Sequence, residues 1–154
     1  MPPSSGVLGS PDFTHPGTKV NMLSFPLDHG GVAVASLEEA RTLFQLLSQD
    51  SSSPVEELPD QGVRVLFVGS IELIEPLGPE TPVGRFLQKR GQGLHHLAYR
   101  VPDLPAALSA AAEEGFELID TEPRPGSRGH MVAFLHPRST GGILVELVQV
   151  GEAS

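Results

Sequence analysis

The chain has no cysteine. That absence excludes a disulfide framework, a thiolate metal site and a cysteine nucleophile. Basic charge is scarce as well: ten Lys and Arg stand against nineteen Asp and Glu, a net charge of -9. Nucleic acid and anionic membrane surfaces are recognised by clustered cations, so neither is an expected partner. No apolar run approaches the roughly 18 residues of a membrane span. The N-terminus lacks the charged-then-apolar pattern of a secretion signal, and the expected address is cytoplasmic by default. A Gly-rich phosphate-binding turn is also missing, because Gly91-Gln92-Gly93 precedes an expected strand and not a helix.

What is present suits one compact domain, or two small modules sharing a core: 154 residues, 39% of them hydrophobic. Residues 1–22 are rich in Pro, Gly and Ser without periodicity and read as a disordered leader, with Met22 a possible true start. Patterned sequence runs over 26–150. Leu27 to Ala35 reads as a strand. Ser36 and Glu39 form a capping box for a helix with a stripe of Leu37, Ala40, Leu43, Phe44 and Leu47. Two strands follow, Gly62 to Val68 and Ser70 to Glu75, turning at Gly69-Ser70. A short linker helix spans 81–91. The pattern then repeats over about 93–150. Leu94 to Val101 is a strand, and Asp103 caps a helix with the stripe Leu104, Ala107, Leu108 and Ala111. Phe116 to Asp120, Gly129 to Leu135 and Ile143 to Val150 read as further strands. The expected fold class is α+β, two β-α-β-β-β modules (about 26–80 and 93–150) paired around a pseudo-two-fold axis.

The repeat carries chemistry. His29 and His96 are 67 positions apart, and so are Phe67 and Phe134. Glu72 and Glu146 are 74 apart, which puts seven extra residues within His136 to Ile143. His29 shares a strand face with Gly31 and Ala33, and His96 shares one with Ala98, so small neighbours leave a cavity beside each ring. Glu72 and Glu146 lie inside apolar strands, where a lone carboxylate is costly unless a cation or donor meets it. If the halves pair symmetrically, the four side chains converge on one divalent ion. Nitrogen and oxygen ligands without sulfur suit Co, Mn, Ni, Mg or Zn. Four protein ligands on an octahedral ion leave two positions for a chelating substrate.

On these residues the chain resembles the vicinal oxygen chelate (glyoxalase-like) superfamily, and within it the methylmalonyl-CoA epimerases. The segments LDHGGVAVASLEEA, GLHHLAYRV and FLHPRSTGGILVEL carry the likeness, the last two being the more specific. The resemblance implies a curved, partly closed sheet around a metal cavity and a homodimer. It implies metal ligands at His29, Glu72, His96 and Glu146, with Glu146 also the catalytic acid/base, and an acyl-CoA substrate. The implied reaction interconverts (2R)- and (2S)-methylmalonyl-CoA. Some family members carry a second acid/base glutamate on the third strand, where this chain has Val65. Residues weighed as substrate contacts are His136, Arg138 and Arg64. His95 should alternate away from the cavity. The competing readings are a glyoxalase I-type lyase acting on a thiol adduct, an extradiol dioxygenase, and a non-enzymatic small-molecule-binding member of the fold. The paired carboxylates argue against a dioxygenase, which needs two histidines and one carboxylate.

Overall fold

The computed structural model describes residues 24–150. The expected leader and the question of Met22 lie outside the described residues. The first half contributes β1 (Leu27–Ala33), α1 (Leu37–Ser48), β2 (Glu56–Leu58), β3 (Val63–Val68) and β4 (Ile71–Pro76). Helix α2 (Pro82–Arg90) follows. The second half contributes β5 (Gly93–Arg100), α3 (Leu104–Glu113), β6 (Arg124–Pro125), β7 (Met131–Leu135) and β8 (Val145–Gln149).

All eight strands form one sheet in the order β2-β3-β4-β1-β5-β8-β7-β6. The order is symmetric about its centre. There β1 and β5 run antiparallel, and each pairs in parallel with the last strand of its own half, β4 or β8. Register repeats as well. Glu72 lies opposite Gly31 and Glu146 opposite Ala98, in each case two residues beyond the histidine. The sheet curls into a half-barrel whose edges approach each other. Gln61 Nε2 donates to the Pro125 carbonyl (3.2 Å), and the Arg128 backbone N–H donates to Glu56 Oε1 (3.0 Å).

Helices α1 and α3 cover the outer face of the sheet, and α2 packs on Ala33, Val65 and Ile74 through Val83, Phe86 and Leu87. Ser36 accepts from the Glu39 N–H and starts α1, as the capping pattern predicts. Leu37 is fully buried against Leu66 and Leu73, with Ala40 and Phe44 beside it. The predicted stripe was broader: Leu43 and Leu47 are 50% and 68% exposed. The helix meets the sheet along the single i, i+3, i+7 ridge, and the neighbouring ridge faces solvent. In α3, capped by Asp103, the whole predicted stripe is buried against Ala133, Leu135 and Leu147. One expected strand is not there. Phe116 to Asp120 makes only an isolated bridge, Leu118 to Leu135, and the edge is instead the two-residue β6. Pro123 and Pro125 lack the N–H groups that a longer ladder would need.

With both helices outside, alternation turns a second set of side chains inward. Val65, Phe67, Ile74, Ala33, Ala98 and Phe134 share that concave face with the four polar residues of the repeat.

Candidate metal centre

His29, Glu72, His96 and Glu146 are the buried polar residues of the described chain, each 3–7% exposed. They come from β1, β4, β5 and β8, the four central strands, where the ladder is paired on both sides and the backbone is most constrained. One ligand atom from each lies within 4.8 Å of all the others. The two Nε2 atoms are 3.4 Å apart. His29 Nε2 lies 3.2 Å from Glu72 Oε1 and 3.3 Å from Glu146 Oε1. His96 Nε2 lies 3.4 and 3.1 Å from the same two oxygens.

These separations test whether a metal fits. Bonds of roughly 2.0–2.2 Å to one small divalent ion place neighbouring ligands roughly 3.0–3.5 Å apart. All five of these separations fall in that window. Glu146 Oε1 adds a second indication: it is buried, close to both imidazoles, and has no aligned hydrogen-bond donor. A cation at the common centre satisfies an oxygen so placed. The cluster can hold a metal, and its oxygen and nitrogen donors are those of a hard or borderline ion.

Without a cation the four groups share protons. Burial alone would lower His29, but the carboxylates of Glu146 and Glu72 beside its Nε2 raise it to about 10. His96 rises to about 9 for the same reasons. Burial opposes ionisation of Glu72, yet the two imidazoles hold it down at about 2, and Glu146 is also lowered. Metal and protons therefore compete for one site, and affinity for the ion falls on acidification.

Groups behind the ligands fix their orientation, and two of these were not found by pattern reading. His29 Nδ1 donates to Asp28 Oδ2 at 2.7 Å, which leaves its Nε2 lone pair facing the centre. Arg128 holds Asp28 from the far side, NH2 to Oδ2 at 3.1 Å, and its guanidinium lies 3.8 Å above the Phe67 ring. The residue adopts a left-handed backbone (φ 59), which places the side chain across the end of the half-barrel. Its 100-residue separation from Asp28 leaves no local signal. The second histidine has a different support. His96 Nδ1 meets His95 Nδ1 at 2.9 Å. Burial and the charge of His96 lower His95 to about 4, so His95 is neutral and accepts. Simple alternation is overridden here: the His95 ring packs edge-on against Phe86 of α2 (5.0 Å) and lines the cavity.

The three substrate-contact candidates lie elsewhere. His136 Nδ1 accepts from the Arg138 N–H and caps a local turn. Arg138 forms two bonds to Glu117 (2.9 and 2.7 Å), and Arg64 reaches Glu38 at 3.5 Å. None of the three lines the cavity.

Removing the carboxylate behind His29 should weaken the site without deleting a ligand. Asp28→Ala is expected to lower divalent-metal affinity roughly 10–100-fold. Arg128→Ala, one step further out, should cost less. Competition titration against a chelator measures both, and an unchanged affinity in Asp28→Ala would show that the Phe67 ring, edge-on to His29 at 5.2 Å, orients it alone.

Glu72, His96 and Glu146 border a cavity of about 530 Å³ with an apolar wall of Val65, Ile74 and Phe134. Residues 28–134 match the family model of the glyoxalase/bleomycin resistance protein/dioxygenase superfamily. The ethylmalonyl-CoA/methylmalonyl-CoA epimerase of Cereibacter sphaeroides is 40% identical over 131 residues, covering 80% of this chain and 97% of that protein. The methylmalonyl-CoA epimerase of Mycobacterium tuberculosis superposes with a TM-score of 0.79 at 33% identity, over 82% of this chain and 89% of that one. A variant of the Streptomyces coelicolor methylmalonyl-CoA epimerase, in complex with 2-nitronate-propionyl-CoA, gives 0.78 at 29% identity, over 83% and 96%. The chain belongs to the glyoxalase/bleomycin resistance protein/dioxygenase superfamily and, within it, to the methylmalonyl-CoA epimerases.

Proposed function

We propose that this protein is an isomerase that interconverts (2R)- and (2S)-methylmalonyl-CoA by moving the proton on C2. The convergence of His29, Glu72, His96 and Glu146 on the concave face carries this reading. In it the four side chains hold one divalent ion, of the group Co, Mn, Ni, Mg or Zn. The ion, when bound, supplies positive charge for the negative charge that develops on the substrate's oxygens.

The chain's own residues do the rest. C2 lies between a thioester and a carboxylate, and its proton is weakly acidic. Glu146 is ionised at neutral pH because both imidazoles hold its pKa down, so it can accept that proton. Its Oε1 faces the imidazoles. Val65, Ile74 and Phe134 keep bulk water from the carbanion. Inversion needs a second proton carrier on the opposite face. Val65 cannot serve, since an isopropyl group carries no proton. Besides Glu72, His96 and Glu146, the acidic and imidazole side chains lining the cavity are Asp60, Glu80 and His95.

No helix of the described residues is long and apolar enough to cross a membrane. A cytoplasmic address fits a charged, water-borne thioester. A homodimer is part of the same reading, and the exposed Leu43, Leu46 and Leu47 offer it apolar surface to bury.

The test is incubation of the metal-loaded protein with methylmalonyl-CoA in heavy water, followed by mass spectrometry. The expected result is one deuterium at C2, entering either epimer. A metal-occupied protein that exchanges neither would refute the reading.

A further inference from the structure

The wall of the metal cavity holds a single cation. Among the described residues that line it, Arg124 is the one Lys or Arg, whereas Asp60, Glu72, Glu80 and Glu146 all bring carboxylates. The substrate of the reading above is an anion at its reacting end, because C2 carries a carboxylate. Glu72 and Glu146 offset the charge of a divalent ion held between them. As a whole the loaded centre is therefore close to neutral and draws an anion weakly from a distance, and Asp60 and Glu80 repel one. Positive charge for the carboxylate has to come from another part of the wall.

Arg124 is placed to supply it. It stands on β6 opposite Val132 of β7, and Val132 shares its strand face with Phe134, which lies opposite Glu146 on β8. The guanidinium carbon lies 5.8 Å from the centre of the Phe134 ring, and that ring lies 5.8 Å from the His96 imidazole. The same aromatic ring thus neighbours both the cation and a histidine of the centre.

Three features hold the side chain in this position. Pro123 and Pro125 flank it. Their fixed φ angles stiffen the edge strand, and Pro125 keeps Arg124 itself extended. The face of the Phe134 ring attracts the cation. Asp120 Oδ1 lies 3.5 Å from Nε, and Oδ2 of the same carboxylate accepts from the Phe134 N–H at 2.9 Å. Asp120 meets the guanidinium at Nε, which is buried. Among the described residues, no hydrogen bond engages the two terminal nitrogens. A carboxylate ligand needs an oriented fork of this kind, with parallel N–H groups that meet its two oxygens.

We propose that Arg124 binds the carboxylate that the substrate carries on C2, and so selects 2-carboxyacyl thioesters over simple acyl thioesters. This rests on the epimerase reading above and deepens it by naming a residue that determines specificity. Anchoring the carboxylate also restricts rotation of the acyl end, which steadies the carbon whose proton moves.

The test is calorimetric titration of the metal-loaded protein with methylmalonyl-CoA and with propionyl-CoA, which has a hydrogen in place of the carboxylate. Every titration is run with the centre saturated with the same ion. Arg124→Gln removes the charge and keeps a polar side chain, and Arg124→Lys keeps the charge and loses the fork. Arg124→Gln is expected to bind methylmalonyl-CoA at least about tenfold more weakly than the parent, and propionyl-CoA as the parent does. Arg124→Lys should recover part of the loss. Undiminished binding of methylmalonyl-CoA by Arg124→Gln overturns the assignment. An equal loss for propionyl-CoA overturns it too, since that ligand has no carboxylate to be recognised. If Arg124→Gln does not fold, Arg124→Lys decides by the same criterion, a loss confined to methylmalonyl-CoA. Failure of the epimerase reading appears separately, as a parent protein that binds methylmalonyl-CoA through Arg124 and exchanges no proton at C2.

Discussion

Glu146→Gln should lower the rate of proton exchange at C2 by at least about 10²-fold, the low end for loss of a general base. Glu72→Gln should cost clearly less. The comparison is demanding because the two carboxylates are near-equivalent in the structure. Both are buried, both follow the same register, and each places Oε1 3.1–3.4 Å from the two Nε2 atoms. Glutamine retains an oxygen that can face a cation, so neither change deletes a ligand atom. What glutamine cannot do is accept a proton. A large difference between the variants therefore reports a chemical role for Glu146 that Glu72 lacks. The readout is deuterium entry into methylmalonyl-CoA, normalised to metal content measured by elemental analysis. Similar residual rates in both would mean that the halves are symmetric in chemistry as well as in geometry. Glu72 would then be a candidate for the second acid/base.

The site was legible because duplication writes the same register twice. A shift of 67 residues maps His29 onto His96 and Gly31 onto Ala98, and the ladder then sets Glu72 and Glu146 opposite those last two residues. Hydrophobic period and caps located the helices, since Ser36, Thr81 and Asp103 each accept from a first-turn N–H as their residue type predicts. What escaped lies where the halves differ or where distance hides the contact. Arg128 reaches Asp28 from the last quarter of the chain. His95 sits at a register shift of the β1–β5 ladder, where Gly31 pairs with His96 and Val32 with Leu94, and Phe86 of the linker helix packs on its ring; simple strand alternation contains neither. The expected strand over Phe116 to Asp120 had the right apolar pattern. Pattern alone does not say whether its backbone groups extend one bridge into a ladder, and here they stop at Leu118 opposite Leu135.

Gly31 offers the sharpest test of how tightly the centre is built. It pairs with His96 across the β1–β5 ladder. A Cβ on Gly31 would collide with the His96 ring, striking Cε1 and Nδ1 and lying 2.8 Å from Nε2. The ring has little room to retreat. The His29 ring lies edge-on at 5.4 Å and Phe134 at 5.8 Å, and His95 holds its Nδ1. The equivalent position of the other half, Ala98, faces His29 and already accommodates a methyl. Gly31→Ala is therefore expected to displace the His96 imidazole and weaken metal binding by at least about 100-fold, the upper end of effects seen for misoriented ligands. Overpacking should also cost the metal-free protein roughly 1–3 kcal/mol. Thermal melts of the metal-free form and chelator titrations of the loaded form separate these two effects. The decisive comparison uses a His96→Ala background, where the ring that the methyl would strike is gone. There Gly31→Ala should cost almost nothing in stability. A full cost in that background would show that the strand backbone, and not the imidazole, demands glycine at this position.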